Sequence, residues 1–184
     1  MPKIVDRKSY NGAEEKIDRL GLRPLWSELE RILSGFQLLL EERRDANGGA
    51  VVREMLDQQF ENASGWIKQQ TGDVDWTKCL IVNGTRVCVG VEIQFSGRSD
   101  LIVVDVAHLR DQITAGVVDV GVLVVPTDRL GVYLTDRGPK LADAIRAVER
   151  SRATDLPLII LALEHDGPGP PLPKRRTRQG KAVT

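Results

Sequence analysis

Cysteine and histidine are scarce in this sequence, with two of each among 184 residues. A zinc site made of these residue types alone needs four ligands and would consume every one of them. A zinc site is therefore disfavoured unless carboxylates complete it.

The sequence also has no apolar run that approaches the roughly 20 residues needed for a membrane-spanning helix. Residues 1–20 are polar and carry no export signal. We therefore expect a cytoplasmic protein without a membrane partner.

Neither sign of charge is in excess, because 26 basic residues balance 26 acidic residues. A DNA-binding protein often carries a basic surface, so this balance argues mildly against one. The argument is not decisive, since a nuclease keeps carboxylates near its metal and these offset lysines and arginines in the total.

The chain length of 184 residues suits one compact domain. We expect a single domain over residues 1–165 and a mobile basic tail over residues 166–184. In the tail, proline and glycine precede a basic run at residues 174–178, and such a composition buries little apolar area. The tail either keeps the protein soluble or contacts phosphates.

Hydrophobic periodicity predicts several helices and strands along the domain. Residues 100–115 fit either a strand or a helix. The order of elements indicates an α/β fold with a mixed β-sheet flanked by helices. Helices are predicted over 25–43, 50–62 and 140–150, with a weak pattern over 14–20, and buried strands over 117–125 and 156–163.

A β-hairpin is the strongest local prediction, because Asn83-Gly84 lies between two β-rich runs. Side chains alternate faces along a strand. Glu92 and Gln94 therefore share one face of the second strand, which is opposite to its apolar face. The apolar face carries Val87, Val89, Val91, Ile93 and Phe95.

A two-residue turn at Asn83-Gly84 fixes the register of this hairpin and sets Asp75 opposite Glu92. Opposed carboxylates repel, and a bound cation would remove that cost. Oxygen ligands favour a hard ion such as Mg²⁺. The alternative is that Asp75 lies beyond the paired region and caps a turn, while Glu92 and Gln94 form a solvated face.

The same register sets Cys79 opposite Cys88. We predict two small buried thiols rather than a cross-strand disulfide, because we expect a reducing cytoplasm.

The segments Asp73-Val74-Asp75-Trp76 and Val91-Glu92-Ile93-Gln94-Phe95-Ser96 resemble the active-site hairpin of BglII-type restriction endonucleases. These enzymes belong to the PD-(D/E)xK nuclease superfamily. Their pattern is an aspartate on one strand and E-x-Q on the next, with glutamine where most relatives have lysine. Looser similarity extends over residues 25–165. The resemblance implies a restriction-endonuclease-like core with a helix at residues 100–115.

By this resemblance, Asp75, Glu92 and Gln94 are the catalytic residues, and Asp75, Glu92 and the Ile93 carbonyl hold Mg²⁺. The spacing between Asp75 and Glu92 is longer than in the family. Asp73 is the alternative aspartate if the register of the hairpin slips, because by alternation it shares a face with Asp75. Glu54 or Glu61 could add a further carboxylate.

The loop after the hairpin supplies the expected DNA contacts, at Ser96, Arg98 and Ser99. The alternative for this loop is a plain surface turn in which Ser99 caps a helix. The chain is short for a restriction enzyme, which indicates reduced DNA-recognition insertions.

The resemblance implies a type II restriction endonuclease that hydrolyses double-stranded DNA at a specific sequence, with a GATC centre as the first guess. The expected products carry a 5′-phosphate and a 3′-hydroxyl. A homodimer and a cognate DNA methyltransferase are the implied partners. The alternatives are a structure-specific or repair nuclease of the same superfamily and a non-catalytic binding domain on a degenerate nuclease fold.

Overall fold

A computed structural model describes residues 3–69, 73–135 and 138–174 of the chain. Its strands are β1 (Lys3–Tyr10), β2 (Leu39–Leu40), β3 (Ile67–Lys68), β4 (Trp76–Val82), β5 (Thr85–Ile93), β6 (Val120–Pro126), β7 (Leu158–Glu164) and β8 (Gly167–Pro168). Its helices are α1 (Ala13–Arg19), α2 (Arg23–Ser34), α3 (Gly49–Asn62), α4 (Ile102–Thr114), α5 (Asp128–Tyr133) and α6 (Leu141–Arg150).

The main sheet has six strands in the order β1-β7-β6-β5-β4-β3. Strands β5, β6 and β7 run parallel, whereas β1, β4 and β3 pair antiparallel with their neighbours. Strand β6 is buried along its whole length, as expected for a parallel strand that is covered on both faces. The predicted mixed α/β sheet flanked by helices is confirmed.

Helices cover both faces of the sheet and produce a three-layer α/β/α arrangement. On one face, α1, α2 and α3 bury the valines and isoleucine of β5 together with apolar residues of β6 and β7. On the other face, α4 and α6 pack on the remaining side chains of β6 and β7. Within the described ranges, no helix is both long and apolar enough to cross a bilayer.

The hairpin of β4 and β5 forms with the predicted turn and register. Val82 pairs with Thr85, and the ladder continues to Trp76 and Val91. Asn83 and Gly84 both have positive φ, 51° and 79°, as a type I′ turn requires.

The prediction of two free thiols is wrong, because Cys79 and Cys88 form a disulfide. Their Cα atoms lie 4.0 Å apart across the hairpin. Such close approach is typical of directly opposed residues in a non-hydrogen-bonded pair, where side chains meet most closely.

The structure differs from the predicted elements in two places. Strand β1 lies in a segment without a predicted strand, because it is an edge strand with a mostly exposed, charged surface. The helix predicted over 25–43 ends at Ser34, and the apolar residues after it enter β2. Helix α4 (Ile102–Thr114) lies in the segment 100–115 for which the resemblance implied a helix.

The start of the expected mobile tail is bound to the domain, so the boundary predicted at residue 165 lies too early in the chain. The Asp166 amide donates to the Leu38 carbonyl at 2.8 Å, and the Asp166 carboxylate accepts from the Leu38 amide at 2.7 Å. The Gly169 amide donates to the Leu40 carbonyl at 2.7 Å. Most of the predicted basic run, from residue 175 onward, lies outside the described residues.

A glycine on β6 allows α4 to approach the sheet closely. Gly90 of β5 and Gly121 of β6 are directly paired. A Cβ atom on Gly121 would lie 3.0 Å from Ile113 and 3.2 Å from Leu109, both of α4. Larger residues at this point would push the helix away from β5.

We expect Gly121→Val to lower the free energy of unfolding by about 1–3 kcal/mol, because the added methyl groups overpack the contact between α4 and the sheet. Gly121→Ala adds one methyl group that meets only side-chain atoms, and it should cost less. Urea denaturation of both variants measures this effect. Wild-type stability in Gly121→Val would contradict the close packing of α4.

Candidate active site

The carboxylate of Glu92 lies beneath α4 at the end of β5. Its side chain is only 4% exposed, although the sequence pattern places it on the polar face of the strand. The His108 ring contacts it, with Nδ1 3.0 Å from the Glu92 Oε1 atom. Burial of a carboxylate is costly unless it is paired or binds a cation.

Helix α4 brings a second carboxylate to the same place. Asp105 and His108 are three residues apart and therefore lie on one face of the helix. Together with Glu92 they offer ligand atoms that all lie within 4.8 Å of one another. The Asp105 Oδ2 atom is buried and has no hydrogen-bond partner among the described residues.

Both buried carboxyl groups have raised pKa values. Burial is the largest cause of the rise in the pKa of Glu92, and the neighbouring carboxylates of Asp75 and Asp105 add to it. Burial and then the charge of Asp75 raise the pKa of Asp105 to about 7. Burial and neighbouring carboxylates thus both disfavour the charged forms of Glu92 and Asp105, while Arg53 favours them.

Asp75 lies one residue before β4, just past the end of the hydrogen-bonded ladder. Its Oδ2 atom accepts a hydrogen bond of 2.8 Å from the Ile93 amide. The carboxyl group is close enough to Glu92 to act on it by charge and by a hydrogen bond. Asp75, Glu92 and Ile93 are thus brought together at the end of β5.

A cationic side chain from α3 contacts this group. The Arg53 Nη2 atom lies 2.7 Å from the Asp75 Oδ1 atom, and Nη1 donates to the Ile93 carbonyl. The Nε atom donates to Asp57, one helical turn further along α3, at 3.2 Å. The guanidinium therefore contacts Asp75 and the Ile93 carbonyl, two of the groups that were predicted from the sequence to bind the metal.

The polar residues that follow Glu92 are more exposed than Glu92 itself. The Gln94 side chain is half-buried, and the backbone N–H of Gln94 donates to the Val124 carbonyl of β6. Ser96 and Ser99 are half-buried, whereas Arg98 is exposed and ion-pairs with Asp100 at 2.8 Å. The loop thus leads from the buried carboxylates to the surface.

The other candidate carboxylates lie apart from the Glu92, Asp105 and His108 group. Asp73 is exposed and accepts a hydrogen bond of 2.6 Å from Gln112. Glu61 lies 3.6 Å from Lys68 in an ion pair, and Glu54 is exposed on α3.

Sequence reasoning missed Arg53, Asp57, Asp105 and His108. Two of these form an i,i+4 pair on α3 and two form an i,i+3 pair on α4. This spacing places polar residues on one helix face, which was a usable signal. It could not show which face meets the sheet, because that depends on the packing of α3 and α4.

The donor chemistry fits a divalent cation. Carboxylate oxygens from β5 and α4 converge, one oxygen is buried and unpartnered, and the pKa values of both groups are raised. A bound cation would supply the missing positive charge.

Comparison with known proteins identifies a family for the chain. A search of curated proteins found no significant match. The family model described as restriction endonuclease BglII/BglIII matches residues 5–163, a span that contains α3, the β4–β5 hairpin and α4. Restriction endonucleases are site-specific deoxyribonucleases, and this chain belongs to the BglII/BglIII restriction endonuclease family.

Proposed function

We propose that this restriction endonuclease depends on Mg²⁺ and hydrolyses both strands of duplex DNA at a specific sequence. Asp75, Glu92 and Gln94 are its catalytic residues, and Asp75, Glu92 and the Ile93 carbonyl hold the metal. The proposal rests chiefly on the converging carboxylates at the end of β5. The same observation adds Asp105 to the proposed ligands.

Mg²⁺ is favoured because oxygen atoms dominate the donor set. The single imidazole in the group, His108, already contacts Glu92 through Nδ1. In this position it orients the carboxylate, as outer residues commonly do for metal ligands. The ion would then bind carboxylate and carbonyl oxygens.

When bound, the ion supplies Lewis-acid polarisation of the phosphate and lowers the pKa of water. Gln94 is neutral and cannot accept a proton, so its amide orients the attacking water or the phosphate by hydrogen bonds. The expected products carry a 5′-phosphate and a 3′-hydroxyl.

The loop at Ser96, Arg98 and Ser99 is our candidate for DNA contact. Arg98 is exposed, and its guanidinium can pair with a phosphate or with a guanine edge once released from Asp100. Ser99 lies beside a cavity of about 370 Å³ that is also lined by Arg44 and Lys140. Asp45 and Asp143 line the same cavity, so its basic side chains are offset and Arg98 carries the proposed phosphate contact.

We further propose a homodimer, because cleavage of both strands of a palindrome requires two active sites related by a two-fold axis. Leu101, Val103 and Val104 support this, since these large apolar side chains are 45–47% exposed at the start of α4. A second copy of the chain would cover them and place the two active sites side by side.

The recognition sequence is proposed to have a GATC centre. A cognate DNA methyltransferase in the same system would protect the host from this cleavage. Mapping the cut ends and testing GATC-methylated DNA examine both points together.

Incubation with plasmid DNA and Mg²⁺ should yield discrete bands, because cleavage occurs at a fixed sequence. EDTA should abolish cleavage, and Glu92→Gln should reduce the rate by at least about 100-fold because it removes a proposed ligand charge. Gel electrophoresis measures both effects. Cleavage of branched DNA alone would favour a structure-specific nuclease, and undiminished activity of Glu92→Gln would contradict the proposed site.

The Asp105 carboxyl should make stability depend on pH. Its pKa is about 7 in the folded chain and 3.8 ordinarily, so between these values the folded chain holds a proton that the unfolded chain has released. The free energy of unfolding therefore falls as pH rises through this window.

Asp105→Asn removes this titration. We expect the variant to be more stable than wild type by about 1–3 kcal/mol at pH 8, with the difference vanishing near pH 4. Urea denaturation across this pH range measures it, and Asp111→Asn, at an exposed position of α4, is the matched control. Parallel pH profiles of Asp105→Asn and wild type would contradict the assignment.

Val104→Glu should weaken the proposed dimer, because it places a charge within the apolar contact. We expect the dimer dissociation constant to rise by about 10–100-fold, as truncation of a central contact commonly does. Analytical ultracentrifugation measures it, with Val5→Glu on the exposed face of β1 as control. A wild-type chain that stays monomeric at micromolar concentration, or equal effects of both variants, would contradict the interface.

A further inference from the structure

Arg53 is a half-buried cation in the active site to which the proposed function assigns no role. It extends from α3 to the end of β5, and its side chain is 19% exposed. Burial lowers the pKa of this guanidinium, but the charges and hydrogen bonds of Asp75 and Asp57 outweigh burial and raise it. Arg53 therefore stays charged in the site.

The contacts of Arg53 leave part of its hydrogen-bonding capacity for another group. Nε, Nη1 and Nη2 each donate once, to Asp57, the Ile93 carbonyl and Asp75. A guanidinium carries a further N–H on each Nη atom. These N–H groups can donate to phosphate oxygens, which arginine binds well because its planar guanidinium carries several donors.

The charge of the site also favours a cationic side chain that faces the substrate. Asp57, Asp75, Glu92 and Asp105 place several carboxylates within a small region. A DNA phosphate that approaches them is repelled, and neutral Gln94 offers no compensating charge. Among the residues that the structure describes, Arg53 is the positively charged side chain in contact with Asp75 and the Ile93 carbonyl.

We propose that Arg53 is a catalytic residue that binds the scissile phosphate and stabilises the negative charge that builds on it during hydrolysis. It supplies from α3 the positive charge that Gln94 does not supply from β5. Asp57 holds the guanidinium in the orientation that points its remaining N–H groups toward the substrate. This inference rests on the proposed function, because it places the scissile phosphate beside Asp75 and Glu92.

The first experiment measures single-turnover cleavage at saturating DNA with Mg²⁺ for wild type, Arg53→Ala and Arg53→Lys. We expect Arg53→Ala to slow cleavage by at least about 100-fold, the usual effect of removing one donor to developing charge. Arg53→Lys should be intermediate, since it keeps the charge but loses the fork. Methylguanidinium should raise the cleavage rate of Arg53→Ala by at least about tenfold.

The second experiment does not depend on activity. DNA affinity is measured by fluorescence anisotropy without divalent ions over a range of salt concentrations. Loss of one phosphate contact should reduce the slope of log K against log salt by about one in Arg53→Ala. Arg7→Ala is the control, because Arg7 is an ion-paired arginine on β1, a strand at the opposite edge of the sheet from β3.

Three results would overturn the proposal: cleavage by Arg53→Ala within about threefold of wild type, an unchanged salt slope, or an equal loss of rate in Arg7→Ala. Failure of the proposed function is distinguishable. If Glu92→Gln loses cleavage and Arg53→Ala cleaves normally, only the proposed role of Arg53 is excluded. If Arg53→Ala loses cleavage and Glu92→Gln cleaves normally, Arg53 still binds phosphate and the proposed metal site is excluded.

Discussion

The organisation of the candidate active site depends on carboxyl groups that the fold holds at low exposure at the end of β5. Glu92 is almost fully buried, and Asp75 and Asp105 approach it from β4 and α4. Such an arrangement is unfavourable without cations, as the raised pKa values of Glu92 and Asp105 show. A protein that retains it trades stability for chemistry, as is common at active sites.

The surrounding fold maintains this arrangement from three directions. The Asn83-Gly84 turn fixes the register that brings Asp75 next to Glu92. Gly121 of β6 lets α4 lie close to the sheet. Helix α3 contributes Arg53 as a counter-charge. The site thus combines a local hairpin with two helices that are distant in sequence, so its geometry depends on the packing of all three layers.

The sequence was sufficient to predict the parts of the site that depend on local rules. Alternation along β5 and a two-residue turn place Glu92 and Asp75 without knowledge of the tertiary structure. It was insufficient for Asp105, His108 and Arg53, since their positions depend on how α3 and α4 pack. The same limit explains β1, whose polar sequence becomes a strand only because β7 offers a free edge. The prediction of free thiols at Cys79 and Cys88 is wrong because it depends on an expected reducing cytoplasm. The predicted register already sets the two residues opposite each other.

The central claim is that Glu92 and its neighbouring carboxylates bind a divalent cation. Calorimetric titration of Mn²⁺ into the protein without DNA at pH 8 tests this claim most directly. The account predicts saturable binding to the wild-type chain and its loss in Glu92→Ala. Equal binding by both proteins, or no binding by the wild-type chain, would contradict it.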